Sequence, residues 1–157
     1  MSGGAVLIRP AAAGDLETVR ALFREYEGSL GISLDFQGFA TELAGLPGAY
    51  APPAGALLIA EAAGAAAGCV ALRRLDAATA EMKRLYVREP ARGSGLGRRL
   101  AEAAMAAARA AGYPNMRLDT LGHLEAAIAL YGALGFVEIP PYGSALLAGM
   151  RFFERRL

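Results

Sequence analysis

Apolar residues along this chain recur with two periods, and the switches between them mark the elements. Residues 5–9 form a short apolar run closed by Pro10, which predicts a first strand. Asp15 is placed to cap a helix through Leu16, Val19, Leu22, Phe23 and Tyr26, apolar at steps of three and four; residues 28–33 interrupt it. A second helix over 36–46 sets Phe36, Phe39, Ala40 and Leu43 on one side, before a proline- and glycine-rich loop, 47–53, that contains Tyr50. Residues 56–62, 67–75 and 80–87 then read as a meander of half-buried strands, with turns at Ala63-Gly64 and 76–79. In the last of these, alternation puts Glu81, Lys83, Leu85 and Val87 on one face and Met82, Arg84 and Tyr86 on the other, unless a bulge scrambles the assignment locally.

After Glu89-Pro90 and a glycine-rich stretch, a helix over 96–111 carries Leu96, Leu100, Ala103, Ala104, Ala107 and Ala111 as a thin stripe suited to close packing on a sheet. A strand over 115–120, a helix over 123–134 (Leu124, Ala127, Ile128, Tyr131, Leu134), a strand over 136–139 and a final strand over 150–157 complete the chain. Pro140-Pro141 opens an extended loop before that last strand. The order βααβββαβαβ plus a terminal strand predicts an α/β fold, a mixed sheet with helices on both faces. At 157 residues it reads as a single domain spanning 1–157.

Composition narrows the function by exclusion. The net charge of +1 argues against a dedicated nucleic-acid binder. The single cysteine, Cys69, excludes a disulfide framework and reads as a small buried hydrophobe. With one histidine, His123, far from that cysteine in the chain, no His/Cys metal cluster is offered, and a lone histidine at a helix start reads as structural or solvated. No apolar run approaches the ~18 residues needed to span a bilayer. The N-terminus shows no basic region followed by a long apolar core, so a cytoplasmic protein without membrane partners is expected.

The stretch that carries chemistry is Arg92-Gly93-Ser94-Gly95-Leu96-Gly97-Arg98-Arg99, between a strand and a helix. Its glycines let the backbone turn tightly and approach a ligand, and the first turn of the helix offers unpaired N–H groups to an anion. A nucleotide P-loop needs Gly-Lys-Ser/Thr, and here Arg98-Arg99 follows the last glycine. A dinucleotide fingerprint needs Gly-x-Gly-x-x-Gly after the first strand, and neither the spacing nor the place fits. What is left is Arg-x-x-Gly-x-Gly, a phosphate cradle, or else a glycine turn on a surface helix with a solvated charge run.

That pattern resembles the acyl-CoA pyrophosphate loop of the GCN5-related N-acetyltransferases (GNAT). Three further segments resemble the same family in order and spacing: Glu81-Met82-Lys83-Arg84-Leu85-Tyr86-Val87 its fourth strand, Arg117-Leu118-Asp119-Thr120 its fifth, and Ala126-Ala127-Ile128-Ala129-Leu130-Tyr131-Gly132-Ala133-Leu134-Gly135-Phe136 its signature helix and following strand. The resemblance implies the acyl-CoA N-acyltransferase fold, with a V-shaped splay between strands four and five that takes the pantetheine arm of acetyl-CoA. The backbones of Leu85 and Val87, flanking Tyr86, would bond that arm. The amides of Arg92, Gly93, Ser94, Gly95, Leu96, Gly97 and Arg98 would hold the pyrophosphate.

Further roles are implied by the same resemblance. Tyr131 matches a tyrosine proposed as general acid toward the CoA thiolate, although it also sits on an apolar stripe. Glu81 matches a general base of some relatives, for which a raised pKa is expected, or else it binds a cationic group or pairs at the surface. The N–H near Leu85 would polarise the thioester carbonyl. Asp119 and Thr120 either touch substrate or cap the following helix. Lys83 and Arg84 either bind an acidic substrate group or form a charged strand face, and Tyr50 and Tyr142 are candidate pocket walls. The expected activity is acetyl transfer from acetyl-CoA to a primary amine of a small molecule in a ternary complex, with a homodimer through the last strands as a family-level expectation. The alternative is a non-catalytic acyl-CoA-binding or sensing module.

Overall fold

The long alternating strands and the two helical stripes meet as layers. A computed structural model describes residues 5–144 and 146–157; the first four residues and Ala145, which the sequence reading put in the extended loop after Pro140-Pro141, lie outside the described residues. The strands are β1 (Val6–Pro10), β2 (Ala56–Ala62), β3 (Ala65–Asp76), β4 (Thr79–Val87), β5 (Asn115–Leu121), β6 (Val137–Ile139) and β7 (Met150–Arg156). They form one seven-stranded sheet in the order β1-β2-β3-β4-β5-β7-β6. All neighbours are antiparallel except β4 and β5, which run parallel, so the sheet is mixed as expected.

Helices α1 (Leu16–Leu30) and α2 (Phe39–Ala44) cover one face. Val19, Leu22, Phe23, Phe39 and Leu43 pack there on Leu57, Ile59, Cys69 and Ala71. Helices α3 (Leu96–Ala110) and α4 (Glu125–Ala133) cover the other, where Leu100, Ala104 and Tyr131 pack on Val70, Leu72, Met116 and Leu118. The hairpin strands alternate their side chains between these two cores, the reason both faces read as apolar in sequence.

Several boundaries differ from the sequence reading. Helix α1 runs through Gly28 to Leu30, because Leu30 is buried and carries the apolar stripe one turn further. The expected helix over 36–46 is split at Gly38, whose φ of +71° no helix accommodates; a 3-10 turn, Asp35–Gln37, precedes it and α2 follows. Asp15 does not cap α1 with its side chain: it accepts from Arg9 Nη1 at 2.7 Å and from the Ala12 N–H at 2.7 Å, tying β1 to the helix entry. On α3 the buried stripe is rotated toward Ala101, Met105 and Ala108, while Ala111 lies outside the helix and exposed. Small alanines on several sides of this helix made the sequence a weak guide to which side packs. Cys69 is fully buried, and burial pushes its thiol pKa up, as expected of a structural cysteine.

Candidate active site

The site is organised by one extra residue in β4. Cys69 of β3 pairs with Tyr86 and Ala71 with Lys83, so three steps along β4 span what two cover on β3. Arg84 takes up the surplus with φ +61°, a left-handed conformation that a non-glycine residue adopts only when its surroundings hold it there. They do so through the side chain. Arg84 is buried, donates to both oxygens of Glu42 at 2.8 and 2.9 Å and to Gln37 Oε1 at 2.9 Å, and lies over the Phe39 ring at 5.2 Å.

The bulge overturns the single alternation expected for this strand. Glu81, Lys83 and Arg84 line the cleft on the α2 side, Tyr86 packs on the α1 core, and Met82, Leu85 and Val87 belong to the core under α3. Beyond the bulge, β4 loses its other neighbour. The parallel ladder to β5 pairs only Thr79, Ala80 and Glu81 with Asn115, Met116 and Arg117. From there to Val87 the strands diverge, and the edge of β4 facing β5 carries no ladder.

Cavities follow this divergence along β4. A cleft of about 550 Å³ lies at its closed end, walled by Tyr50 and Tyr142 and lined by Arg73, Glu81, Lys83, Arg84 and Asp119. A second, of about 480 Å³, lies at its open end between Leu85, Tyr86, Val87, Arg92, Gly97 and α4, with Tyr131 in its wall. A small junction lined by Lys83, Leu85, Asp119 and Tyr131 sits between them.

The glycine loop stands at the mouth of the second cleft. Gly93 and Gly95 have φ of +80° and +83°, and a Cβ at either would meet no atom within 4 Å. The Arg92 N–H, expected in the cradle, is instead spent on the Glu89 carbonyl at 3.1 Å, whereas among the described residues the backbone N–H groups from Gly93 to Arg98 find no acceptor. Six consecutive unbonded amides at the start of a fifteen-residue helix make an anion cradle. The side chains differ in use. Leu96 is buried in the core and offers only its backbone. Ser94 donates to the Ala91 carbonyl, Arg92 donates to Val87 O at 2.9 Å and stacks on Tyr86, and Arg98 pairs with Glu102 at 3.5 Å. The arginines are thus partly engaged locally, and the amides are the free donors.

Tyr131 is buried against Phe136 and Phe153, and its hydroxyl bonds no described residue although it lines both the second cleft and the junction. Burial, with Tyr26 and Asp119 nearby, pushes its phenol up, so the proton stays on at neutral pH. Glu81 contradicts the raised pKa expected of a base. Its carboxyl is almost fully buried, which alone would raise the value, but Lys83, Arg73 and the Tyr142 hydroxyl outweigh burial and hold it below the usual range. Arg73 Nε donates to Oε1 at 2.7 Å and Tyr142 donates to Oε2 at 2.7 Å.

Asp119 and Thr120 cap nothing: α4 has no side-chain cap, and Asp119 faces the junction 3.7 Å from Lys83 Nζ. Arg73 was invisible to sequence reasoning. It lies on β3, outside every motif, and only the register Arg73↔Glu81 brings it to the site. His123 precedes α4 and lines none of these cavities. No group of three metal-ligating side chains occurs among the described residues.

Residues 17–136 match the family model described as the acetyltransferase (GNAT) family. The chain belongs to the GNAT acetyltransferases. It is 40% identical over 130 residues to a protein of Schizosaccharomyces pombe described as an uncharacterized N-acetyltransferase, covering 82% of this chain and 80% of that one. Among solved structures it resembles a GNAT acetyltransferase of Staphylococcus aureus Mu50, with a TM-score of 0.82 at 20% identity over 97% of this chain and 99% of the other. A second, an acetyltransferase of Salmonella typhimurium with its cofactor acetyl-CoA, superposes with a TM-score of 0.70 at 20% identity, covering 97% and 94%. This acetyltransferase is therefore an acetyl-CoA-dependent enzyme. No described helix is long and apolar enough to cross a membrane.

Proposed function

We propose that the chain acts throughout its length as one N-acetyltransferase domain that moves acetyl from acetyl-CoA to a primary amine of a small molecule by direct attack. The observation that carries this reading is the junction: two clefts approach it from either end of the β4–β5 divergence, so donor and acceptor can be bound together. The amides from Gly93 to Arg98 hold the pyrophosphate, and the free edge of Leu85, Tyr86 and Val87 takes the pantetheine arm. The Leu85 N–H, just past the bulge, polarises the thioester carbonyl.

The acceptor arrives as an ammonium ion beside Asp119, which takes its first proton and passes it to solvent. The amine nitrogen forms a bond to the carbonyl carbon, the carbon–sulfur bond breaks, and Tyr131 gives its proton to the departing thiolate. The nitrogen then releases its second proton, which restores Tyr131 through solvent. Glu81 serves as fixed negative charge. Both its oxygens already accept short hydrogen bonds and its carboxyl is held ionised, which makes it a weak proton acceptor. A cytoplasmic setting and a homodimer through the last strands belong to this proposal; light scattering tests the dimer.

Initial rates of CoA release, with both substrates varied, test the direct transfer. Intersecting double-reciprocal lines are expected for a ternary complex. Parallel lines would show a covalent acetyl-enzyme and exclude it.

A further inference from the structure

The charged groups of the acceptor cleft divide into those already spent on one another and those left with free hydrogen-bonding capacity. Arg84 is closed to a ligand, since its side chain is 2% exposed and Nε, Nη1 and Nη2 each already donate to Glu42 or Gln37. Glu81 is closed as an acceptor by Arg73 and Tyr142. Lys83 is different. Its side chain is only 10% exposed, yet its ammonium lies 3.9 Å from Glu81 and 3.7 Å from Asp119, beyond hydrogen-bonding distance of both. Arg73, which lines the cleft, gives only Nε to the protein; Nη1 and Nη2 have no acceptor among the described residues. Both cations pair with the same oxygen, Glu81 Oε1, at 2.7 Å from Arg73 Nε and 3.9 Å from Lys83 Nζ, and both residues line the cleft. Against them the cleft leaves Asp119 as its one carboxylate without a hydrogen bond among the described residues.

The Lys83 ammonium opens on the cleft with no described acceptor in hydrogen-bonding distance, so its N–H groups are available to a ligand. A planar guanidinium edge beside it matches a carboxylate, which accepts from both at once. The cleft volume, about 550 Å³, admits a small molecule. Resting on the acetyl-transfer reading above, we propose that the acceptor is an amino acid. Its carboxylate lies between Lys83 Nζ and the terminal nitrogens of Arg73, and its ammonium faces Asp119 at the junction. A neutral amine would leave Lys83 and Arg73 unanswered, and a polyamine would add positive charge beside them.

The test compares matched acceptors: L-methionine, L-phenylalanine and L-glutamate, their α-carboxamides, and the amines formed by losing the α-carboxyl group. Product is followed by CoA release and confirmed by mass spectrometry. At least one acid should exceed its amide and its amine by tenfold or more in kcat/KM. Lys83→Met and Arg73→Gln, each first checked for acetyl-CoA binding by calorimetry, should each cut that preference at least tenfold, chiefly through KM for the acid. Amides or amines acetylated as well as the acids by the wild-type protein, or a preference that survives in both variants, would overturn the amino-acid assignment alone. A wild-type protein that acetylates no compound of the panel, acid or neutral, would bring down the small-molecule transfer reading together with it.

Discussion

At the scale of the residue, two side chains with similar burial have opposite proton behaviour. Tyr131 is held protonated by an apolar surround and a nearby carboxylate, the state an acid needs. Tyr131→Phe should lower kcat about a hundredfold, within the range for a general acid, while acetyl-CoA affinity measured by calorimetry stays within a few-fold. Because the phenol is pushed above its ordinary value of about 10, Tyr131 should impose no loss of kcat as pH rises to 9. Glu81 is the reverse. Its folded pKa is depressed, so its contribution to stability is present above the unfolded carboxylate value of about 4.3 and is lost as pH falls through the lower folded value. Thermal melts of wild type and Glu81→Gln should therefore differ more at pH 7 than at pH 3; an equal gap at both would contradict the depressed value.

At the scale of the element, the bulge in β4 is what turns a strand into a site. Without it Lys83 and Leu85 would share one face, as simple alternation predicts, and the cleft would lose either its charges or its apolar groove wall. Arg84 fixes the bulge by burying a guanidinium against Glu42, with side-chain exposures of 2% and 17%. Arg84→Met leaves Glu42 without its partner and should cost about 3 kcal/mol of stability, read from denaturant melts. Catalysis should fall further than this loss explains, since the Leu85 N–H is no longer aimed. Gly68 supports the same geometry from β3: a Cβ there would come 2.6 Å from the Tyr86 carbonyl, a backbone contact that cannot move aside.

At the scale of the whole molecule, the sheet divides labour between its ends. The anion cradle and the second cleft lie at the open end of the β4–β5 divergence, the charged cleft at the closed end, and the packing on both faces holds them in line. Acetyl-CoA should stabilise the fold as a whole. At a hundredfold excess over Kd the gain is about 2.7 kcal/mol, or roughly 5–10 °C in Tm for a chain this size. Gly95→Trp, whose side chain would occupy the cradle, should abolish the shift; a variant that melts normally and still shifts would remove the loop from the cofactor site.

Much of this architecture was legible in the sequence, and the reason is period. Alternation set β2 to the residue and placed β5 and β7 to within one, and the 3.6-residue stripe found α1 and α3, because each pattern reflects local geometry repeated over many residues. The glycines of the anion loop were legible for a similar reason, since their backbone conformation is a property of the residue itself. What the chain alone could not decide depends on strand pairing. The bulge at Arg84 appears only when β3 and β4 are counted against each other, and Arg73 reaches Glu81 only through that register. The protonation states of Glu81 and Tyr131 follow from charges and burial brought together by three strands, two helices and the loop after Pro141. Local periodicity determined the elements and residue type the glycine loop; long-range register decided which charges line the cleft at Glu81, because a single inserted residue reverses a strand's faces and no neighbour in sequence records it.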